Sequence, residues 1–224
     1  MVKSLKSSGK TVLIGILCSS GSFPDYFSLD LNQLIDYTRS KGYKIRVQVF
    51  KNSNLCVMKN QACLASLGIK FSPDGSKCDF LYILETDHRY SPDSLVKLIE
   101  SDKEVVFGST TTRIPLYNPT QYKKLLIVGM KETENLVYPI DESLIECEGS
   151  GSAGILIKTS VLDKMKWPFF QVEFYGDYQY RTSDLYFFHR LKELGIKAYL
   201  HSGVIYPHQC KSLFSSVNGL QYLE

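Results

Sequence analysis

Long apolar runs are missing from this sequence of 224 residues. A helix that spans a bilayer needs about 20 consecutive apolar residues, and no run approaches that length. The basic and polar start is followed by an apolar run over residues 12–18 only. Because that run has no small-residue cleavage site at a suitable distance, it indicates a first strand and not a secretion signal. We therefore expect no transmembrane segment.

An excess of charge of either sign is also missing. The chain has 26 Lys and Arg against 23 Asp and Glu, a formal net charge of +3. Because nucleic-acid binders and polybasic membrane binders need a concentrated positive surface, this balance excludes both classes. The composition is 44% hydrophobic and 22% charged, which is typical of a globular protein and excludes disordered and collagen-like chains.

No pair of cysteines has the spacing of a CxxC motif. The six cysteines are at positions 18, 56, 63, 78, 147 and 210, and several of them lie within apolar runs. This spacing favours reduced thiols over a disulfide framework or a zinc site. We expect a cytoplasmic protein.

The first half of the sequence alternates between strand and helix patterns. Runs that are apolar or alternating predict strands at 11–18, 44–50, 79–84 and 104–107. Between them, helical periodicity predicts helices at 29–41 and 55–67, and a third that begins at Pro92. This order predicts an α/β fold with a mostly parallel central sheet flanked by helices, and a ligand site at the carboxyl ends of the strands.

The pattern changes after residue 112. Two apolar runs, 125–130 and 136–140, predict an antiparallel hairpin, and 153–157 predicts another strand. A helix is expected at 183–194 with Ser183 as its N-cap, followed by a strand at 197–200. The second half therefore reads as an antiparallel elaboration of the same sheet, within a single domain.

Two carboxylates follow the strand at 79–84. In an extended segment residues i and i+2 point to the same side, so Glu85 and Asp87 are expected to face one pocket. Two hard oxygen donors suit Mg²⁺ or Mn²⁺ held together with substrate phosphates. The alternative is an ordinary loop with solvated acids.

The order of motifs resembles that of GT-A glycosyltransferases, especially the compact enzymes of phages and large DNA viruses. The block 78–113 contains an apolar strand, the D-x-D-like acids, a Pro-initiated helix and a short strand with a trailing Arg. The later matches are GSGSAGILI at 149–157, WPFF at 167–170, TSDLYFFHRLKELG at 182–195 and YPH at 206–208. In addition, Lys59-Asn60 stands where many relatives have Arg-Asn. Within the family, the sequence resembles chlorovirus-like capsid-glycan transferases.

The resemblance implies a single GT-A domain over 1–224, with a nucleotide-binding half at about 10–113 and an acceptor-side half at about 114–210. It implies a Mn²⁺ or Mg²⁺ ion and a nucleotide-sugar donor, with UDP-sugar favoured by the habit of the family. The implied acceptor is a glycan or glycoprotein, and a viral enzyme would act in the host cytoplasm. We expect inverting transfer, although retaining enzymes share these features.

The resemblance also implies roles for individual residues. Asp87, His208 and Glu85 are the implied metal ligands, and Asp184 or its neighbour Asp177 the catalytic base. The implied donor-binding residues are Ser19, Ser20, Phe23, Lys59, Asn60, Glu85, Thr86 and Arg113. The sequence departs from the family in having Glu85 where Asp is usual, which makes direct ligation by this residue less certain.

Two other functions are compatible with this sheet. A sugar nucleotidyltransferase needs a glycine-rich phosphate loop with a basic residue directly after the first strand, and 19–23 (SSGSF) has no Lys or Arg. A non-catalytic carbohydrate- or nucleotide-binding domain would explain the loss of acids from the motif at 183–186, where Asp184 alone remains.

Overall fold

The structure is a computed structural model that describes residues 9–19, 21–51, 53–110, 122–124, 134–135, 141–175, 179–209, 212–215 and 219–222. Its helices are α1 (Asp25–Ser40), α2 (Leu55–Ser66), α3 (Ser94–Glu100), α4 (Thr159–Lys164) and α5 (Ser183–Glu193). The strands of the first half are β1 (Thr11–Cys18), β2 (Lys44–Lys51), β3 (Phe80–Glu85) and β4 (Val105–Thr110). They are followed by β5 (Tyr122–Lys124), β6 (Glu134–Asn135), β7 (Leu144–Cys147), β8 (Ile155–Lys158), β9 (Glu173–Tyr175), β10 (Gln179–Arg181), β11 (Ala198–Tyr206), β12 (Ser212–Ser215) and β13 (Gly219–Tyr222).

Seven strands form the central sheet in the order β2-β1-β3-β8-β4-β11-β7. β1 pairs in parallel with β2 and β3, and β11 pairs in parallel with β4. Only β8 and β7 run in the opposite direction. The predicted α/β fold with a mostly parallel sheet and an antiparallel addition from the second half is therefore confirmed.

The central strands β1, β3, β4 and β8 are buried on both faces because most of their positions are apolar. Along β1, alternate side chains enter two different cores: Leu13 and Leu17 pack on one face, and Ile14 and Ile16 on the other. The first core also contains residues of α2, α4 and α5, and the second contains residues of α1 and α3. None of the helices within the described ranges is long and apolar enough to cross a membrane.

Several boundaries differ from the prediction. α1 begins four residues early, at Asp25, because Pro24 occupies the N-cap and the whole segment after it is helical. α3 begins at Ser94 and not at Pro92, with Asp93 at its N-cap position. The N-cap of α5 is Thr182, whose hydroxyl accepts a hydrogen bond from the Leu185 N–H at 3.4 Å, so the assignment of this role to Ser183 was wrong.

The second half differs more. β11 runs to Tyr206, well beyond the predicted 197–200, while the edge strand β7 and the short helix α4 were not predicted at all. The predicted hairpin at 125–130 and 136–140 lies outside the described residues. The structure instead describes an antiparallel pair formed by β5 and β6.

Tyr206 ends β11 with a buried side chain, and two glycines make room for its ring. A Cβ atom at Gly154 would lie 2.0 Å from the ring, and one at Gly108 would lie 2.4 Å from it. The Tyr206 hydroxyl is 2.8 Å from the hydroxyl of Tyr82. The side chain is therefore held by this contact and by its packing against the two glycines. This packing determines where the residues after β11 emerge.

Candidate functional site

The candidate site lies at the carboxyl ends of β3 and β11. Since five of the seven strands point the same way, the segments that follow β3 and β11 meet at one edge of the sheet. β8 runs in the opposite direction, so the residues before it reach the same edge: the Gly154 N–H donates to the carbonyl of Ile83 at 2.8 Å. Ser152, two residues earlier, contacts Glu85 at the end of β3.

Asp87, His88 and His208 form the first cluster at this edge. The His88 Nδ1 atom is 2.8 Å from Oδ1 of Asp87, and the His208 Nε2 atom is 3.2 Å from Oδ2. One ligand atom from each of the three side chains lies within 4.8 Å of the other two. His88 is buried, whereas Asp87 and His208 are partly exposed.

A short β-bridge holds the two histidines side by side. His88 and His208 are opposite each other in an antiparallel bridge, between hydrogen bonds from the Arg89 N–H to the carbonyl of Pro207 and from the Gln209 N–H to the carbonyl of Asp87. This makes them a non-hydrogen-bonded pair, the arrangement that brings side chains closest. Their rings stack with centroids 4.3 Å apart.

The cluster fits a divalent metal ion by its donor set. A carboxylate and imidazoles are acceptable ligands for Mn²⁺, and three donor atoms converge here from the segments that follow β3 and β11. Both carboxylate oxygens of Asp87 are in contact with the imidazole nitrogens, so an ion between them would replace contacts that exist in the structure.

Glu85 belongs to a second cluster, with Lys59 and Asp184. Lys59 is 1% exposed, and its Nζ atom lies 2.5 Å from Asp184 Oδ1 and 3.8 Å from Glu85 Oε1. Burial lowers the pKa of Lys59, but the two carboxylates outweigh it and the net shift is upward. Lys59 is therefore a buried ammonium that neutralises two acids.

Glu85 does not share the cluster of Asp87, and its predicted role as a metal ligand stays a prediction. The chain turns at Thr86 and Asp87 directly after β3, so the i, i+2 rule for extended segments does not apply. Glu85 accepts a hydrogen bond from Ser152 at 2.9 Å and faces Lys59, outside the cluster of Asp87 with the two histidines.

Asp30 of α1 holds the loop that carries Asp87. Its carboxylate accepts two hydrogen bonds from the Arg89 guanidinium, at 2.7 and 2.9 Å, and a third from the Tyr90 N–H at 3.0 Å. Burial raises the pKa of Asp30, but these hydrogen bonds outweigh it and the net shift is downward. Arg89 thus ties α1 to the loop that carries Asp87.

Asn60, a predicted donor-binding residue, makes hydrogen bonds with four backbone groups of the protein. Its amide donates to the carbonyls of Cys56 and Phe170, and its oxygen accepts from the N–H groups of Phe169 and Phe170. The three contacts with Phe169 and Phe170 hold the segment after α4 against α2. Lys59 likewise faces Asp184 and Glu85, and a contact with phosphate stays a prediction for both residues.

The loop after β1 and its surroundings contain the remaining predicted donor residues. Ser19 is exposed, and the Phe23 ring packs 5.5 Å from that of Phe27. The carbonyl of Thr86 accepts a hydrogen bond from the Tyr26 hydroxyl at 3.1 Å. Their predicted roles are not tested by these contacts. Ser20, Arg113 and Asp177 lie outside the described residues.

Two residues of the site, His88 and Asp30, were not predicted from the sequence. The position of His88 directly after the acid motif is a signal by which the sequence could have indicated it. Its alignment with His208 depends on a bridge between residues 120 positions apart. Asp30 follows no motif, and its burial against Arg89 is visible only in the folded chain.

Comparison with known proteins agrees with this description of the fold. No protein-family model matches the sequence, and no curated protein matches it. Among solved structures, A197 from STIV superposes with a TM-score of 0.57 at 19% identity, over 96% of this chain and 94% of that chain. GalNAc-T7, whose crystal structure has UDP, GalNAc and Mn²⁺, superposes with a TM-score of 0.57 at 9% identity, over 90% of this chain and 44% of that chain.

The chain has a GT-A-like fold. At these identities the likeness shows the fold alone, and this chain spans less than half of the GalNAc-T7 chain. A fold of this kind hosts many functions, and the chemistry of this chain depends on the two clusters at the edge of the sheet.

Proposed function

We propose that the protein is a metal-dependent glycosyltransferase that moves a sugar from a nucleotide donor, a UDP-sugar, to a glycan or glycoprotein acceptor. The observation that carries the proposal is the carboxylate and imidazole pair of Asp87 and His208, which meets at the carboxyl edge of a GT-A-like sheet. GalNAc-T7, which shares this fold, was crystallised with UDP and Mn²⁺. This supports the same classes of ligand here.

Asp87 and His208 would hold the ion, Mn²⁺ or Mg²⁺. When bound there, the ion supplies positive charge against the diphosphate leaving group of a nucleotide sugar. The nucleotide would lie over the segment of about 10–113, in contact with the loop after β1, and the acceptor over the segment of about 114–210. The residues proposed to contact the donor are Ser19, Ser20, Phe23, Lys59, Asn60, Glu85, Thr86 and Arg113.

Asp184 is proposed as the base that takes the proton of the acceptor hydroxyl in a single in-line displacement. Its Oδ1 atom is held by the Lys59 ammonium at 2.5 Å, which fixes the carboxylate and points to Oδ2 as the proton acceptor. Its side chain is 23% exposed, so an acceptor can reach it from solvent. Asp177 is the alternative base.

The test is the release of UDP from a panel of UDP-sugars, with and without Mn²⁺. The proposal expects release that requires the ion, and transfer when an acceptor is added. Production of pyrophosphate would indicate a nucleotidyltransferase, and binding of UDP without any turnover would indicate a non-catalytic domain. Either result would overturn the proposal.

The base has its own test. As the base, Asp184→Asn lowers kcat by about 100-fold or more and leaves donor binding nearly intact, because the carboxylate acts only on the acceptor. Asp163→Asn is a matched control, since Asp163 also pairs with a lysine, Lys77, but on an exposed surface. A folded Asp184→Asn variant with a near-normal rate would transfer the role to Asp177.

A further inference from the structure

His88 is the one member of the first cluster that the proposed function leaves without a role. Its ring is buried, with a side-chain exposure of 5%, and its Nδ1 atom is directed at the carboxylate of Asp87. It stacks on His208 at 4.3 Å with the two ring planes only 18° apart. Two nearly parallel imidazoles therefore present a nitrogen atom each to the same carboxylate.

The backbone fixes this convergence. In the bridge between His88 and His208, flanking hydrogen bonds at 2.7 and 3.0 Å hold the two segments in register. The non-hydrogen-bonded pair has its side chains on one face of the ladder, so both rings point the same way. Arg89, the next residue, is anchored on the buried Asp30, which prevents the loop from turning His88 away.

We propose that His88 is the third protein ligand of the metal, so that two imidazoles and one carboxylate form a site that selects Mn²⁺ over Mg²⁺ and Ca²⁺. This inference rests on the proposed function, which requires an ion at Asp87 and His208. It adds the identity of the third ligand and the class of metal.

The selectivity follows from the chemistry of the donors. Mg²⁺ and Ca²⁺ are hard cations that take oxygen ligands, and Mg²⁺ gives up its water reluctantly. Imidazole nitrogen suits first-row transition metals, and Mn²⁺ accepts a mixture of imidazole and carboxylate. With two of three protein ligands being nitrogen, the site loses the oxygen-rich environment that Mg²⁺ needs.

The experiment counts coordinated imidazoles directly. Mn²⁺ alone is added to the purified protein, and pulsed EPR measures the ¹⁴N couplings to the bound ion. Two coupled imidazoles are expected in the wild type and one in His88→Gln, a variant whose amide can still hydrogen-bond to Asp87. Calorimetry of Mn²⁺ should show about 10- to 100-fold weaker binding in that variant.

Two histidine variants calibrate the measurement. His208→Gln should also lose one coupled imidazole, whereas His189→Gln should lose none, because His189 lies on α5 and pairs with Glu193. In the wild type, a tenfold excess of Mg²⁺ should leave the Mn²⁺ signal in place.

Three results would overturn the inference. One coupled imidazole in the wild type would leave His88 outside the metal sphere, even if His88→Gln fails to fold. An unchanged nitrogen signal in a folded His88→Gln variant would assign His88 to the orientation of Asp87 alone. Displacement of Mn²⁺ by the tenfold excess of Mg²⁺ would contradict the selectivity. In all three cases Mn²⁺-dependent UDP release by the wild type would leave the proposed function standing.

Discussion

Replacing Lys59 by Met removes the cation that separates two carboxylates. Lys59 is 1% exposed, and its ammonium lies 2.5 Å from Asp184 and 3.8 Å from Glu85. Methionine has a similar length and fits the apolar part of the side chain's environment, so the change acts mainly on charge. Asp184 and Glu85 would then face each other without compensation.

The expected loss of stability follows from the burial of the three groups. Breaking a buried ion pair by removing one partner costs about 3–5 kcal/mol. The side chains of Asp184 and Glu85 are 23% and 19% exposed, so water relieves part of the repulsion. We therefore expect the lower end of the range, about 3 kcal/mol. In a protein of this size that corresponds to a fall in Tm of about 6–12 °C.

The assay is thermal unfolding followed by circular dichroism, with Lys77→Met as the matched control. Lys77 is also 2.5 Å from a carboxylate, that of Asp163, but the two side chains are 44% and 49% exposed. Its loss should change stability by about 0–1 kcal/mol. In addition, Lys59→Met combined with Asp184→Asn should be more stable than the sum of the single changes, by about 0.5–3 kcal/mol. Equal shifts in Tm for Lys59→Met and Lys77→Met would refute the reasoning.

Two further predictions concern the framework of the site. Gly154→Ala should destabilise the protein by about 2–5 kcal/mol in a denaturant titration, because Gly154 has φ +70° and a Cβ atom there would lie 2.0 Å from the Tyr206 ring. The control is Gly75→Ala, at φ +67° with nothing within 4 Å of the added Cβ atom. It should cost only about 1–2 kcal/mol in the same titration. Arg89→Gln should cost about 1–3 kcal/mol at pH 7, because the buried Asp30 loses its charged partner. The folded-state pKa of Asp30 is below its usual value of 3.8, so this stabilisation is present above that pH and is lost as the pH falls through the lowered pKa. A difference from the wild type that grows on acidification would contradict this assignment.

Elements with a strong local signal were predictable from the sequence. β1 is an apolar run bounded by a loop signal, and the helix α2 has its stop at Gly68, so both were assigned close to their observed bounds. β7 is only four residues long and α4 only six, too short for periodicity to distinguish them from loops. The placement of β8 between β3 and β4 depends on non-local pairing, which no local pattern specifies.

The candidate site was predictable as a location but not as a set of contacts. The acid motif after β3 and the histidine after β11 identified Asp87 and His208, which the fold brings to 3.2 Å. The turn at Thr86 places Glu85 and Asp87 in different clusters. Nothing in the sequence around Lys59 indicates that this residue is buried against Asp184, 125 residues away. Contacts of this kind are determined by the packing of α2 and α5 on the sheet, which follows from the whole fold and not from any one segment.

The most direct test of the central claim is calorimetry of UDP binding in Mn²⁺ and in EDTA. If Asp87 and His208 hold an ion that contacts the diphosphate, UDP should bind in Mn²⁺, and removal of the ion or the change Asp87→Ala should weaken binding by at least about tenfold. Asp163→Ala, remote from the cluster and exposed, should bind UDP as the wild type does. Equal affinity for UDP in Mn²⁺ and in EDTA would contradict the account.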